Sequence, residues 1–359
     1  MHTYHLQDAQ IILHETHDIR KVYIELSSEC NFTCKMCFRH SFASDTGTMS
    51  DTLLQRVQEQ VAALPDLQEV VLGGLGEPLL HPRLKECIRF FKHHGIAVTI
   101  TSNGALMYPY VDFFIGEEVD RIVLSVETGD IGHANESEVF RLLKTIAETK
   151  QQSHATRPSM VVLMVLTREN IRDLAVMADK LKQNGVKEVM LSNLLPATPE
   201  HREIALYPFP EPKEVKALKS QLLLNVLLDR MLCSAPEFGI QTERSCDFIE
   251  SKSLVIRWDG EVAPCYRFLH TRDEIVLEKT KTVHASSFGN IQQKNLLDIW
   301  NDRTYAWFRY TVHNSRYPSC IDCTFRAGCD FIESTESDCW GNENSCADCL
   351  WSRGIVKCP

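Results

Sequence analysis

The sequence predicts an α/β fold, with six strand–helix units closed or partly closed as a TIM-like barrel, and then a cysteine-rich region of different character. Three observations carry this reading. Short β-branched runs alternate with helical patterns over about residues 22–195. The runs are apolar nearly throughout, as strands covered on both faces of a parallel sheet must be. Ten of the 14 cysteines fall between Cys233 and Cys358, where regular patterning fades.

The strands are VYIEL (22–26), EVVL (69–72), AVTIT (97–101), RIVLSV (121–126), MVVLMVL (160–166) and VKEVML (186–191). Between the first two, residues 52–64 place Leu53, Leu54, Val57, Val61 and Leu64 at helical spacing. His81-Pro82 opens a second helix that Gly95 closes, with proline early and glycine at the end. Helical patterns over 136–150 and 170–183 follow, the latter closed by Gly185. YPFPEPKE (207–214) marks a break, and a helical stretch runs to about Leu232. Beyond Cys246 one hairpin is clear, in SLVIRWDGEVAPCYRF, with Asp259-Gly260 as its tight turn. The expected units are an N-terminal extension (1–20), the barrel (21–206), a linker and helix (207–245) and the cysteine-rich domain (246–359).

The composition is that of an ordinary globular chain, 44% hydrophobic and 24% charged over 359 residues. With 38 basic against 48 acidic residues the net charge is −10, which repels phosphate backbones and argues against nucleic acid as partner. The longest apolar run, 160–166, is far too short to span a bilayer, and the first residues lack a basic leader with an apolar core. A cytoplasmic protein is expected, in which the sequons at Asn31 and Asn135 carry no meaning. In a reducing compartment, clustered cysteines point to metal or redox chemistry rather than to a disulfide framework.

The sharpest motif is CNFTCKMC, which sets Cys30, Cys34 and Cys37 directly after the first strand. Loops at the carboxyl ends of strands are where α/β folds hold ligands. Three thiolates within eight residues wrap one corner of a cubane and leave its fourth iron open to another ligand. A zinc loop that borrows a fourth ligand satisfies the same spacing. After the second strand, GGLGEP lacks the third glycine of a dinucleotide loop.

In order along the chain, these motifs resemble the radical S-adenosylmethionine (SAM) superfamily. Gly76-Glu77-Pro78 is similar to its GGE-type element, in which backbone and acidic residue hold the cofactor's amino group. TSNG, with Ser102 and Asn103, resembles an element lining the cofactor pocket, and Ser125-Val126-Glu127 resembles the Ser-x-Asp/Glu that contacts ribose or cofactor carboxylate. TREN (167–170) is also common at its place, although a polar residue at a strand end serves equally as a helix cap. Met36 departs from the usual aromatic before the third cysteine and keeps an apolar wall.

The later cysteines resemble the SPASM extension of such enzymes, which implies two auxiliary [4Fe–4S] clusters beside the SAM-binding one. By that pattern Cys320, Cys323 and Cys329 share a cluster completed by Cys349, and Cys246 and Cys265 begin the other with Cys339. With Cys346 and Cys358 there are nine thiols for eight places. Cys87 and Cys233 fit no pattern and read as structural thiols, and His81, His93 and His94 as solvated surface. The closing CADCLWSRGIVKCP and the SNLLP after the sixth strand look like the maturases associated with tungsten-containing oxidoreductases. The resemblance implies reductive cleavage of SAM, a protein, peptide or metallocofactor substrate, and an electron donor such as flavodoxin or ferredoxin. A peptide-crosslinking or sulfatase-type maturase shares every motif. A non-catalytic iron–sulfur electron carrier would need no cofactor pocket.

Overall fold

The computed structural model describes residues 1–43, 45–126, 136–207, 213, 217, 232–240 and 242–358. Its centre is a nine-stranded sheet in the linear order β11-β10-β3-β4-β5-β6-β7-β8-β9. The six expected strands are β3 (Lys21–Glu25), β4 (Glu69–Gly73), β5 (Ala97–Ser102), β6 (Arg121–Ser125), β7 (Ser159–Leu166) and β8 (Glu188–Asn193). All pair in parallel with their neighbours in chain order, as right-handed β–α crossovers dictate. The order is linear, so the barrel stays open.

Helices α1 (Asp51–Ala62), α2 (Leu84–His93), α3 (Val111–Gly116), α4 (Glu136–Gln152) and α5 (Leu174–Gln183) lie between these strands. The Ser50 side chain caps α1 by accepting from the Leu53 N–H. Gly95, at φ +72°, ends α2 in a left-handed step that lets its own N–H reach Lys92 and that of Ile96 reach Phe91. Alternate strand residues split between two cores. Val22, Ile24, Val70, Leu72, Val98 and Ile100 pack outward on Leu54, Val57, Ile88 and Phe91 of the helices. Tyr23 and Val71 face inward, against Phe248, Val255, Tyr266 and Leu269 of the C-terminal region.

That region is therefore built into the barrel. The expected hairpin, β10 (Ser253–Ile256) with β11 (Val262–Ala263), pairs β10 in parallel with β3 and extends the sheet. At the other edge β9 (Leu232–Ser234), a strand not anticipated, pairs in parallel with β8. The helix expected before Leu232 falls largely outside the described residues. A second hairpin, β12 (Arg272–Val276) with β13 (Lys279–Val283), was not anticipated. Nor was the N-terminal hairpin β1 (His2–Leu6) with β2 (Ala9–Leu13). Three further helices matter here: α6 (Pro199–Ile204), α7 (Asp247–Glu250) and α8 (Leu296–Trp300). A last one, α9 (Arg303–His313), receives the N-terminal hairpin through Tyr4, whose ring stacks 4.3 Å from Trp307 and whose hydroxyl donates to the Arg303 carbonyl.

A chain of five charges, every one buried, runs through the C-terminal region. Arg267 donates to Glu274 at 2.6 Å and to Asp348 at 2.9 Å, Lys281 donates to Asp348 at 2.8 Å, and Arg272 lies 3.2 Å from Glu274. The two cations hold the Asp348 carboxyl down at about 2, against burial that would raise it. No helix among the described residues is long and apolar enough to cross a membrane.

Asp348→Asn strands two buried cations, so it should lower unfolding free energy by about 3–5 kcal/mol in urea titrations at neutral pH. Breaking the exposed Arg83–Asp51 pair should leave the midpoint where it is.

Candidate active site and cluster sites

The loop after β3 carries Cys30, Cys34 and Cys37, all partly buried at the carboxyl end of the sheet. It is held in shape locally. The Cys37 N–H donates to the Cys34 carbonyl at 3.0 Å and the Phe32 N–H to the Cys30 sulfur at 3.4 Å. Met36 is buried against Leu194 with Cys34, Val165 and Ile204 around it. From α6, the His201 ring meets the Lys35 carbonyl at 2.9 Å.

GGLGEP docks on this loop backbone to backbone. The Glu77 N–H donates to the Glu29 carbonyl at 2.7 Å. A Cβ on Gly76 would overlap the Ser27 and Glu29 carbonyl oxygens, so only glycine permits the approach. The Glu77 carboxylate is 2% exposed and faces the end of β5. Its Oε1 accepts from the Ser102 hydroxyl at 3.0 Å and the Leu79 N–H at 3.1 Å, and its Oε2 from the Asn103 N–H at 2.9 Å. Burial raises its pKa, and these donors pull it back. Asn103 completes the circuit, its Nδ2 lying 3.6 Å from the Cys30 sulfur and 2.9 Å from the Asn31 side-chain oxygen.

Structure thus brings together Cys30, Cys34, Cys37, Gly76, Glu77, Ser102 and Asn103. Ser125 ends the adjacent strand β6, and Glu127 lies outside the described residues. Thr167 and Asn170 are buried and bond to one another, the Thr167 N–H to the Asn170 side-chain oxygen at 2.9 Å and the Asn170 N–H to the Thr167 hydroxyl at 3.3 Å, which closes the turn after β7. His93 and His94 are exposed, as expected. His81 is not: it is 1% exposed, with its ring on the Met49 carbonyl and the Arg83 N–H, and it braces the turn before α2.

The C-terminal thiols separate into two neighbourhoods, and the grouping differs from the one spacing implied. Cys246, Cys265, Cys346 and Cys349 line one apolar cavity with Phe248 and Trp351. Burial pushes the thiols of Cys246, Cys265 and Cys346 up, Cys265 to about 12, and their mutual repulsion adds to it, while Arg267 pulls Cys265 and Cys346 back. Cys320, Cys323, Cys329 and Cys339 form the other set: Cys320 feels Cys339 and Cys329, and Cys339 feels Cys329 and Cys323. Cys339 and Cys349 have therefore changed places relative to the sequence reading. Among the described residues no three Cys, His, Asp or Glu side chains converge on a single ion. Cys358 lies beside the first set, packed with Cys246 and Cys265 and near enough to Cys265 and Cys349 to feel them, and its sulfur accepts from the Trp351 indole N–H at 2.9 Å. Cys87 is fully buried in the helix-side core and Cys233 partly buried on β9, as structural thiols, and none of the fourteen is in a disulfide.

Residues 24–192 match the Radical SAM superfamily profile, and residues 246–324 match SPASM, an iron–sulfur cluster-binding domain. A protein of Pyrococcus furiosus, the tungsten-containing aldehyde ferredoxin oxidoreductase cofactor-modifying protein, is 38% identical over 349 residues, covering 95% of this chain and 97% of its own. The chain belongs to the radical SAM superfamily, SPASM branch. Membership brings the cofactors, SAM with a [4Fe–4S] cluster in the barrel and auxiliary iron–sulfur clusters in the SPASM domain. Among solved structures, SAM-bound SuiB of Streptococcus suis superposes with a TM-score of 0.60 at 16% identity, over 87% of this chain and 72% of that one. SAM-bound anSMEcpe superposes with a TM-score of 0.59 at 17% identity, over 92% and 90% of the two chains. Both likenesses show the fold. The residues present fit the cofactors: soft thiols in sets of three, four and four, and a glycine cradle with no room for a Cβ.

Glu77→Gln turns one donor onto another, because its amide cannot accept from both Asn103 and Leu79. The mismatch costs about 1–3 kcal/mol in the loop, so SAM affinity measured by calorimetry should fall about tenfold with the iron content unchanged. Unchanged affinity would place the pocket elsewhere.

Proposed function

We propose that this radical SAM enzyme modifies a metallocofactor, or the protein that carries it, as the maturase of a tungsten-containing oxidoreductase. One observation carries the reading: the Pyrococcus furiosus relative named for that role matches over nearly the whole of both chains. The SNLLP and closing motifs support it, because they meet in space. Asn193 donates to the Ile355 carbonyl at 3.1 Å, and the Lys357 N–H donates to Ser192 at 3.0 Å. An electron donor such as flavodoxin or ferredoxin, and a place in the cytoplasm, belong to the same proposal.

When bound, SAM and its cluster would supply one-electron reductive cleavage of SAM, with the electron from the donor, and hydrogen-atom abstraction from substrate. Cys30, Cys34 and Cys37 would hold the cluster and leave one iron open. Gly76, Ser125 and Glu127 would frame the cofactor's polar groups. Glu77 acts by fixing Ser102 and Asn103, and Asn103 in turn holds the Cys30 end of the loop. The C-terminal region, packed on the inner face of the sheet, excludes water from the reaction volume. Cys246, Cys265, Cys346 and Cys349 would ligate one auxiliary cluster, and Cys320, Cys323, Cys329 and Cys339 the other. Cys358, engaged by Trp351, is then the ninth thiol left over.

The assignment fixes iron counts, at four per [4Fe–4S] centre. Anaerobically reconstituted protein should hold about twelve irons, and the Cys339→Ala/Cys323→Ala variant about eight. Cys358→Ala should keep about twelve, and a value near eight there would reinstate it as a ligand.

The function itself is tested on the partner. A tungsten-containing oxidoreductase should be purified from cells carrying either the native chain or its Cys30→Ala/Cys34→Ala/Cys37→Ala variant, and its extracted cofactor weighed by mass spectrometry. A mass difference is expected. Identical cofactors from both strains would refute the maturase role and leave SAM cleavage standing.

A further inference from the structure

Arg272 opens β12 and is 1% exposed. Its guanidinium lies between two rings, 4.7 Å from the centre of Phe38 and 5.6 Å from that of Trp351. Phe38 follows Cys37 of the barrel loop, and Trp351 follows Cys349 of the buried thiol set by two residues. The side chain therefore stands between the SAM-cluster loop and the nearer auxiliary set. Aromatic faces hold a guanidinium plane in place and keep water from it, but they satisfy none of its N–H groups.

Those groups have no hydrogen-bond acceptor among the described residues. Nε, Nη1 and Nη2 of Arg272 are all without one. Glu274 is 3.2 Å from Nη2 but out of line for a hydrogen bond, and its Oε2 is itself unmatched. Its other oxygen is taken by Arg267, at 2.6 and 3.2 Å. The Tyr207 hydroxyl is a further buried group without a partner, near enough to Glu274 to feel its charge, and its ring packs in the same apolar cluster as Phe38 and Trp351. The charges do not cancel either. With the neighbouring thiols of Cys265, Cys349 and Cys320 neutral, Arg267, Arg272 and Lys281 face two carboxylates, Glu274 and Asp348, which leaves one buried cation in excess. Orphaned polar atoms this deep are rare in folded chains, and a cluster of them with surplus positive charge is matched to an oxyanion.

We infer that Arg272 and the Tyr207 hydroxyl form the binding site for an oxyanion of the substrate, a carboxylate or a phosphate, and so seat the substrate between the barrel cysteines and the nearer auxiliary cluster. The inference rests on the proposed function only in taking that occupant to be the substrate. The planar fork of arginine suits two oxygens at once, and lysine cannot reproduce it. The free Glu274 oxygen would accept from an N–H or O–H beside the oxyanion.

The test is anion binding to the anaerobically reconstituted holoenzyme, with inorganic phosphate and acetate as separate probes in calorimetry. The native chain is expected to bind one of them saturably. Arg272→Met should weaken that binding by at least about tenfold, and Arg272→Lys by less, with iron content and circular dichroism unchanged. A preference for phosphate identifies a phosphorylated cofactor as substrate, and a preference for acetate a carboxylate. SAM affinity, measured separately, should stay within about twofold, because the proposed site is not its pocket. A parallel fall in SAM affinity would overturn the proposal by giving the oxyanion to the cofactor's own carboxylate. Equal anion binding by native and variant chains would overturn it by making Arg272 a counter-charge to the cluster thiolates. Absence of saturable binding to the native chain would overturn it without any variant. Each result is independent of the cofactor-mass comparison, so the two readings fail separately.

Discussion

The constraint on which the molecule depends is that an open parallel sheet has two apolar faces and only one layer of helices. Strands β3 to β8 bury one face under the helices, and the other would lie bare inside an incomplete barrel. The C-terminal region covers it. Tyr23 of β3 packs 5.1 Å from both Phe248 and Tyr266, and β10 joins the sheet beside it. Burial of each such side chain stabilises by about 1.5–3 kcal/mol, so the SPASM region is a structural partner of the barrel before it is anything else. Its Cys246 is thereby fixed beside Lys21, Glu69 and Arg121, the residues that open β3, β4 and β6, at the end of the sheet away from the SAM cysteines.

Covering the sheet this way places the two auxiliary sets in unlike surroundings. One set lines an apolar cavity, and the other opens outward through Cys323 and Cys339, both exposed. Burial favours the neutral thiol in the first set and also raises Cys320 of the second to about 11. Iron takes thiolates, so assembly must drive these protons off, and Arg267 and Lys281 stand where the resulting negative charge accumulates. Cluster loading and completion of the fold are then one coupled process in this region.

Much of this was legible. The six barrel strands could be read because both their faces are apolar, and Cys30, Cys34 and Cys37 because a tight spacing after a strand leaves few geometries. The glycine of GGLGEP was legible as a motif, but its reason, contact with the Ser27 and Glu29 carbonyls, was not. The auxiliary grouping failed at Cys339 and Cys349 because distance along a loop-rich chain says little about distance in space. Hairpin β12–β13 was missed because RDEIV and KTKTV are rich in charge and are joined by Leu277-Glu278, which carries no turn residue, although Arg272, Glu274 and Lys281 are buried. His81 misled because the Met49 carbonyl that its ring meets lies 32 residues away and leaves no trace in local spacing.

Those buried charges are also what ties the two auxiliary sets together. Asp348 lies between Cys346 and Cys349 in sequence, bonds to Arg267 beside one set, and bonds to Lys281 and presses on Cys320 of the other. Buried ion pairs add little net stability over apolar packing, since desolvation consumes most of the Coulomb attraction. Their geometric demands are strict, however, and a misplaced partner leaves a charge uncompensated. A short network of this kind, threaded between two sets of thiols in a region with few regular elements, therefore acts on register. It admits one relative placement of the two cluster sites, and through Arg267, Glu274 and Arg272 it carries that placement to Phe38 and the loop of the SAM cysteines.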